Sequence, residues 1–174
     1  EDSFYMMDQH AAHEKILYER LMKQFHEKTY HSQMIMPPVI LTLSLREEQI
    51  LKENWKTFTA LGYEIEEFGG KEYKVTGLPA ELPTVIDCKQ LLIELIDTIA
   101  DESATHDPER ITEKVASMSC KAAVKGNNRL SFKEAEELMR ELMEAENPYN
   151  CPHGRPTLIK MTKYEIERKF KRIL

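Results

Sequence analysis

The first residues that could do chemistry lie close together near the N-terminus, in the run Asp8-Gln9-His10-Ala11-Ala12-His13-Glu14. His10 and Glu14 are four residues apart, which places them on one face of a helix. That face continues into an apolar stripe through Leu17 and Leu21, so the histidine and the carboxylate stand at its head. A half-buried carboxylate needs a compensating partner, because burying it unpaired is costly. A metal ion is one such partner, and an ordinary salt bridge beside a core histidine is an equally good alternative on this segment alone.

A second group of reactive residues lies in the loop-forming run Cys151-Pro152-His153-Gly154-Arg155-Pro156. A cysteine and a histidine two residues apart in a loop rich in proline and glycine can turn both side chains to one point. Thiolate and imidazole favour zinc, whereas carboxylates also accept manganese or magnesium. Each cysteine could instead be a small buried hydrophobic residue, which is our interpretation of Cys88. The candidate metal ligands are Asp8, His10, Glu14, Cys120, Cys151 and His153.

The elements that must position these residues are a mixture of strands and helices without strict alternation, which predicts an α+β fold. Residues 3–7 predict a strand ending at Asp8, and a helix follows over residues 11–28. Capping-box patterns at Ser44, Ser131 and Thr162 predict three helix starts. The remaining predicted segments are an extended stretch over 34–43, helices over 44–61, 88–100, 108–124, 131–145 and 162–173, and strands over 63–68, 71–78 and 157–161.

The candidate ligands lie towards the two ends of the chain, and a predicted hairpin with its flanking helices occupies the middle. We therefore expect two lobes. Residues 1–30 and 118–174 would form a dimerisation and metal-site lobe, and residues 31–117 would form an inserted external, regulatory lobe. Because the chain opens inside a predicted strand, we also expect it to be part of a longer protein.

The composition of the 174 residues, 41% hydrophobic and 31% charged, is typical of a globular protein and argues against a disordered one. No apolar run approaches the ~18 residues that cross a bilayer, and the acidic N-terminus differs from a secretory signal. An odd number of cysteines, three, argues against a disulfide scaffold. We therefore expect a cytoplasmic protein that does not bind a membrane.

The net charge of −6 is unusual for a chain that grips DNA alone. If a nucleic acid is the substrate, this chain should bind it weakly, and another domain or a partner should deliver it. Basic residues do cluster near the C-terminus, at Arg155, Lys160, Lys163, Arg168, Lys169, Lys171 and Arg172.

Four motifs, in order along the chain, resemble those of the MutL family of DNA mismatch repair proteins. The run DQHAAHEKILYE (residues 8–19) resembles the DQHA-x2-E-x4-E endonuclease motif, and CPHGRP (residues 151–156) matches a further family motif in full. The run SCKAAVKGN (residues 119–127) is similar to the motif between them. Phe170-Lys171-Arg172 resembles the family's FxR, although an ordinary amphipathic helix end would look the same.

The resemblance implies a domain that forms homodimers through a lobe built from both chain ends and that nicks DNA with manganese, with zinc at the same site. It implies that the six candidate ligands above hold the metal, with Asp8, His10 and Glu14 at the reacting centre and Glu19 in a supporting role. Arg155 could hold a phosphate bidentately, and a salt bridge that fixes its loop is an equal alternative.

The family also has a motif, Gln-x-x-Ile/Leu-x-Pro, that docks on the replication sliding clamp. The matching stretch is Gln33-Met34-Ile35-Met36-Pro37-Pro38, in which Gln33 and Pro38 fit the pattern. Met36 stands at the isoleucine or leucine position, and methionine is flexible enough to fill a similar pocket. We therefore expect Gln33, Met36 and Pro38 to bind the clamp, with an ordinary edge strand as the alternative.

Two other functions compete with the nuclease. One is a non-enzymatic, zinc-stapled dimerisation module that only recruits partners. The other is a metallopeptidase, suggested by His10-x-x-His13-Glu14, but that order matches neither HExxH nor HxxEH. Manganese-dependent nicking of supercoiled plasmid separates the first from the nuclease, and casein cleavage would support the second.

Overall fold

The computed structural model describes residues 2–83, 86–102, 107–124 and 129–173, and it confirms the α+β class. Strands and helices follow one another in mixed order, as the sequence predicts. In chain order the elements are β1 (Ser3–Met7), α1 (Gln9–Glu27), β2 (Ser32–Thr42), α2 (Leu45–Glu53), α3 (Trp55–Ala60), β3 (Glu64–Gly69), β4 (Glu72–Pro79), α4 (Cys88–Glu102), α5 (Pro108–Ala123), α6 (Phe132–Glu144), β5 (Leu158–Thr162) and α7 (Lys163–Lys169).

The chain forms two compact units. The first contains Glu1–Ile16 and Gly126–Leu174, and the second contains Leu17–Lys125. Helix α1 begins in the first unit, and its residues from Leu17 onwards belong to the second. The lobe boundaries expected from the sequence, after residues 30 and 117, stay a prediction, as do the roles assigned to the two lobes.

The first unit is built on a two-stranded antiparallel sheet in which β1 pairs with β5. Met7 lies opposite Leu158, and both side chains pack against a small core. That core consists of Ala12 and Ile16 from α1 with Leu138 and Leu142 from α6. The two leucines are four residues apart, so the buried stripe of α6 follows the helical period.

The other face of this sheet is apolar and exposed. Phe4, Met6 and Ile159 are all large hydrophobic residues that face solvent in the single chain. Met6 lies opposite Ile159 in the strand register, and Phe4 is two residues from Met6. Side chains that are opposite or two residues apart share one face of a sheet, so these three form one patch.

The second unit contains a three-stranded antiparallel sheet in the order β2-β4-β3 and the larger core. Gly69, the last residue of β3, and Gly70, in the turn before β4, both have positive φ, which confirms the predicted hairpin. Within this core the Tyr63 hydroxyl and the Ser119 hydroxyl share a buried hydrogen bond of 2.6 Å. In the described part of the chain, no helix is both long enough and apolar enough to cross a membrane.

The helix predicted over residues 44–61 is divided in the structure. It begins at the predicted capping box of Ser44 and Glu47, but α2 stops at Glu53 and α3 starts at Trp55. Asn54 causes the break, because its side-chain amide and its backbone N–H both donate to the Ile50 carbonyl. Asparagine competes in this way with regular helical hydrogen bonding.

The last helix is shorter than predicted. It starts at the Thr162 capping box but ends at Lys169 rather than near residue 173. Lys171 has a φ of +53°, and the Arg172 N–H donates to the Glu167 carbonyl, a bond that closes a helix end. The Phe170-Lys171-Arg172 motif therefore forms the C-terminal cap of α7.

Candidate metal centre

Glu14 is the centre of the candidate site. Its side chain is only 1% exposed although it carries a carboxylate, and it stands on the second turn of α1. The Nε2 atom of His10 lies 3.0 Å from one carboxylate oxygen, and the Nδ1 atom of His153 lies 3.2 Å from the other. Each oxygen therefore faces an imidazole nitrogen, which supplies the partners that a buried carboxylate requires.

The CPHGRP loop (residues 151–156) turns two of the candidate ligands towards Glu14. The Gly154 N–H donates to the Cys151 carbonyl at 2.9 Å, and the Cys151 N–H donates to the Arg155 carbonyl at 2.9 Å. Gly154 has a φ of +78°, a conformation that glycine adopts without steric cost. These contacts form a tight turn with Cys151 and His153 on it.

Glu14, Cys151 and His153 are brought together by this arrangement. Each offers one ligand atom, and these atoms all lie within 4.8 Å of one another. One carboxylate oxygen, one thiol sulfur and one imidazole nitrogen form a donor set that zinc accepts, and the carboxylate also suits manganese. The residues present therefore fit a divalent transition-metal ion.

Asp8 is placed where its carboxylate caps α1. Its Oδ1 atom accepts hydrogen bonds from the backbone N–H groups of His10 at 2.9 Å and Ala11 at 3.0 Å. Among the residues that the structure describes, Asp8 and His10 are not part of the three-residue ligand group, although His10 touches Glu14. Asp8 thus caps the N-terminus of α1. Its position just before a predicted helix also indicates this role, because aspartate is a preferred N-cap residue.

His13 is the remaining histidine of the N-terminal motif, and its environment favours the neutral ring. Partial burial lowers the pKa of His13, because burial penalises the charged form. A hydrogen bond to the Gln9 backbone and the nearby carboxylate of Glu141 oppose this effect. The ring of His10, unlike that of His13, lies within hydrogen-bond distance of the Glu14 carboxylate.

Three further predicted site residues are placed as follows. Cys120 is fully buried near the end of α5 in the core of the second unit. Glu19 is half-buried on α1, also in the second unit, and Arg155 is exposed in the CPHGRP loop of the first unit. The roles of Cys120 and Glu19 at the metal, and of Arg155 at a phosphate, stay predictions. Lys125, Gly126 and Asn127 of the SCKAAVKGN motif lie outside the described residues.

The stretch that resembles a clamp-docking motif lies on β2, an edge strand of the three-stranded sheet. The pairing of β2 with β4 shifts register between Met34 and Val39, so residues 35–38 form an irregularity in the strand. Met36 is 80% exposed there, and Pro38 is exposed as well. The Gln33 amide is already engaged, because it donates to the carbonyls of Pro79 at 3.0 Å and of Leu82.

Sequence reasoning missed Thr157, which it treated only as the first residue of a strand. The structure places Thr157 directly after the CPHGRP loop, with its side chain completely buried. Its hydroxyl donates to the Pro148 carbonyl, and its own carbonyl accepts from the Asp8 N–H at 2.9 Å. The available signal was a polar β-branched residue between a candidate ligand loop and an apolar strand.

Comparison with known proteins places this arrangement in context. The family described as the MutL C terminal dimerisation domain matches residues 1–130. The chain is similar to three proteins named DNA mismatch repair protein MutL. It is 52% identical to that of Agathobacter rectalis over 174 residues, which is 100% of the chain and 27% of that protein. It is 39% identical to that of Caldanaerobacter subterraneus subsp. tengcongensis over 172 residues, or 99% and 29%. It is 37% identical to that of Clostridium beijerinckii over 172 residues, or 99% and 26%.

The similarity thus extends over essentially all of the chain but over only part of each relative. The chain spans 26% to 29% of the length of these curated relatives.

Proposed function

This chain belongs to the family of MutL C-terminal dimerisation domains, and from that premise we propose that it is a metal-dependent DNA endonuclease that acts in mismatch repair. The observation that carries the proposal is the convergence of Glu14, Cys151 and His153, whose ligand atoms lie within 4.8 Å of one another. Glu14 and the other two residues come from opposite ends of the chain and from the two motifs that resemble the family's nuclease motifs. The two imidazoles already partner the buried carboxylate, and the thiol beside them completes a donor set of oxygen, nitrogen and sulfur that suits a divalent metal ion.

The proposed metals are zinc and manganese. Glu14, Cys151, His153 and His10 would hold the ion, with Asp8 and Cys120 as further ligands on the strength of the motif resemblance. A bound divalent ion supplies positive charge beside a scissile phosphate and makes a nearby water molecule more acidic. The reaction proposed for this site is hydrolysis of one phosphodiester bond.

The chain's own residues would orient the substrate and the ligands. Asp8, with its Oδ1 held by two backbone N–H groups, keeps a carboxylate at the entrance to α1. The contacts of the His10 and His153 ring nitrogens with the two oxygens of Glu14 bring these three side chains to one point, where they would share the ion. Arg155 is exposed on the same loop as His153, where its guanidinium could bind a phosphate through two hydrogen bonds.

Homodimerisation is the second part of the proposal. The exposed patch of Phe4, Met6 and Ile159 is a cluster of large apolar side chains, which a single chain leaves in contact with water. A two-fold contact between copies would cover the same patch on both partners. The family that matches this chain is described as a dimerisation domain, which supports this assignment.

Docking on the sliding clamp is a third part, supported by the exposure of Met36 and Pro38. An apolar side chain that protrudes from an irregular edge strand can enter a pocket of a partner without rearranging its own core. The proposed contact residues are Gln33, Met36 and Pro38.

Plasmid nicking tests the endonuclease. We expect the wild type, fused to a DNA-binding domain and supplied with manganese, to convert supercoiled plasmid to the open-circular form. Asp8→Asn in the same fusion should nick at about one-hundredth of the wild-type rate or more slowly, because it removes a negative charge from the metal site. Each ~1.4 kcal/mol of lost transition-state stabilisation lowers the rate tenfold. Asparagine keeps a capping oxygen, so the fold should survive.

Asp107→Asn is the matched control. Asp107 caps α5 by accepting from the Glu109 N–H at 3.1 Å, as Asp8 caps α1, but it lies in the second unit. It should nick at the wild-type rate. Equal rates for Asp8→Asn and the wild type would remove Asp8 from the mechanism and leave the non-enzymatic, zinc-stapled module as the better interpretation.

A further inference from the structure

Thr157 joins three parts of the first unit. Its Oγ1 donates to the Pro148 carbonyl, and its N–H donates to the Tyr149 carbonyl at 2.9 Å. Its carbonyl accepts from the N–H of Asp8 at 2.9 Å. Pro148 and Tyr149 precede the CPHGRP loop, Thr157 follows it, and Asp8 precedes α1. One residue therefore closes the loop at its base and ties that base to the start of the helix that carries Glu14.

We propose that Thr157 is a positioning residue, which holds the CPHGRP loop in the conformation that presents Cys151 and His153 to the metal. This inference rests on the proposed metal site. The side chain is 0% exposed, so its hydroxyl has no water to bond with and depends on the Pro148 carbonyl. The bond acts below the ligands and does not touch them.

The physical effect is preorganisation. The ligand atoms of Glu14, Cys151 and His153 lie within 4.8 Å of one another, and Thr157 fixes the base of the loop that carries two of them. A loop held in its binding conformation loses less conformational entropy when it binds, and that saving appears as affinity. Groups that hydrogen-bond directly to metal ligands typically change metal affinity by ~10–100-fold when they are removed, and Thr157 acts one contact further out, so we expect the lower end of that range.

The hydroxyl can be removed without removing volume. Thr157→Val keeps the branched shape, leaves both backbone hydrogen bonds intact and deletes only the donor to Pro148. Thr157→Ser keeps the donor and deletes the methyl group. If Thr157 positions the loop, Thr157→Val should weaken metal binding and Thr157→Ser should not. If Thr157 only fills space, both substitutions should change the metal affinity little.

The experiment measures the zinc affinity of the purified 174-residue chain by competition with a chromogenic chelator, with folding checked by circular dichroism. We expect Thr157→Val to bind zinc about tenfold more weakly than the wild type, and Thr157→Ser to bind as the wild type does. If the valine variant does not fold, Thr157→Ala makes the same deletion without placing a methyl group against the carbonyl.

Thr112→Val is the matched control. Thr112 is a buried threonine whose hydroxyl donates to a proline carbonyl, that of Pro108, at 2.8 Å, but it lies in the second unit. It should lose stability and keep its zinc affinity. Wild-type affinity in Thr157→Val, or equal losses in the valine and serine variants, would overturn the positioning role while leaving the metal site intact. A wild type that fails to bind zinc would overturn the proposed metal site and this inference with it.

Discussion

At the scale of single residues, the burial of Glu14 requires an explanation, because a carboxylate is rarely buried without a strong partner. Its two oxygens face His10 and His153, so each oxygen has a ring nitrogen within hydrogen-bond distance. The Glu14 oxygens and the two ring nitrogens are also good metal ligands. The Cys151 thiol lies close to them, and a thiol has no comparable role in an ordinary salt bridge. The thiol is therefore the residue that separates a metal centre from a buried ion pair.

Cys151→Ser tests that distinction. We expect it to lower zinc affinity by more than the ~10–100-fold that loss of an outer partner costs, because a neutral hydroxyl is a much poorer ligand than a thiolate. The measurement is zinc content by atomic absorption after dialysis against a chelator of known affinity.

Cys88→Ser is the control for that experiment. Cys88 is buried at the start of α4, where burial raises the pKa of its thiol to about 11, so it stays protonated near neutral pH. It should retain zinc as the wild type does. If Cys151→Ser also keeps its zinc, the thiol is not a ligand and a site of oxygen and nitrogen atoms alone becomes the better description.

At the scale of elements, β2 is a strand with two roles. Its ends pair with β4, which fixes the edge of the sheet, and its irregular middle presents Met36 to solvent. The Gln33 amide holds the strand to the turn after β4 through the Pro79 and Leu82 carbonyls. The exposed residues of the proposed docking motif therefore lie on a segment that hydrogen bonds hold in place.

Met36→Ala should weaken binding to the sliding clamp by roughly tenfold or more. A methionine side chain that becomes fully buried contributes ~1.5–3 kcal/mol, and each ~1.4 kcal/mol is tenfold in affinity. Surface plasmon resonance with the purified clamp measures the change.

Met34→Ala is the matched control, because Met34 is 75% exposed on the same strand, close to the 80% of Met36, but occupies a variable position of the motif. It should bind the clamp normally. Equal losses in the two variants would mean that the strand binds through general apolar contact, without the motif.

At the scale of the whole molecule, the first prediction concerns the dimer. Ile159→Glu should weaken self-association by roughly two orders of magnitude. A two-fold contact would bury one new carboxylate from each copy, and neither carboxylate would have a charged or hydrogen-bonding partner. Sedimentation equilibrium over a range of concentrations measures it.

Phe68→Glu is the comparison variant, since Phe68 is 56% exposed and Ile159 is 50% exposed, but Phe68 lies on β3 in the second unit. It should associate as the wild type does. A wild-type chain that stays monomeric at high concentration would instead count against the exposed patch as a self-association surface.

The second whole-molecule prediction concerns the charge of −6, which gives the chain little nonspecific hold on DNA. Linking the chain to a DNA-binding domain should raise its nicking rate, and the gain should shrink between about 50 and 200 mM salt as phosphate contacts weaken. The test compares nicking by linked and unlinked chains across that range. A gain that does not change with salt would show that the link acts through something other than DNA binding.

Much of the local structure was determined by the sequence alone, because short-range signals control it. The capping boxes at Ser44, Ser131 and Thr162 begin helices as predicted, since each involves only residues three apart. The hairpin glycines, Gly69 and Gly70, follow from the same kind of rule. Asn54 and Lys171 are the exceptions, where a side-chain hydrogen bond and a left-handed residue ended helices that periodicity would have continued.

The chemistry of the site was also present in the sequence, as residue types in two separated motifs, but their meeting was not. Glu14 and His153 are 139 positions apart, and no local rule relates them. Only the folded chain brings the two motifs together, through the pairing of β1 with β5 and the hydrogen bond from Asp8 to Thr157. Thr157 was missed because its importance lies in contacts with backbone groups, and a polar β-branched residue before an apolar strand does not indicate which of those groups it will meet.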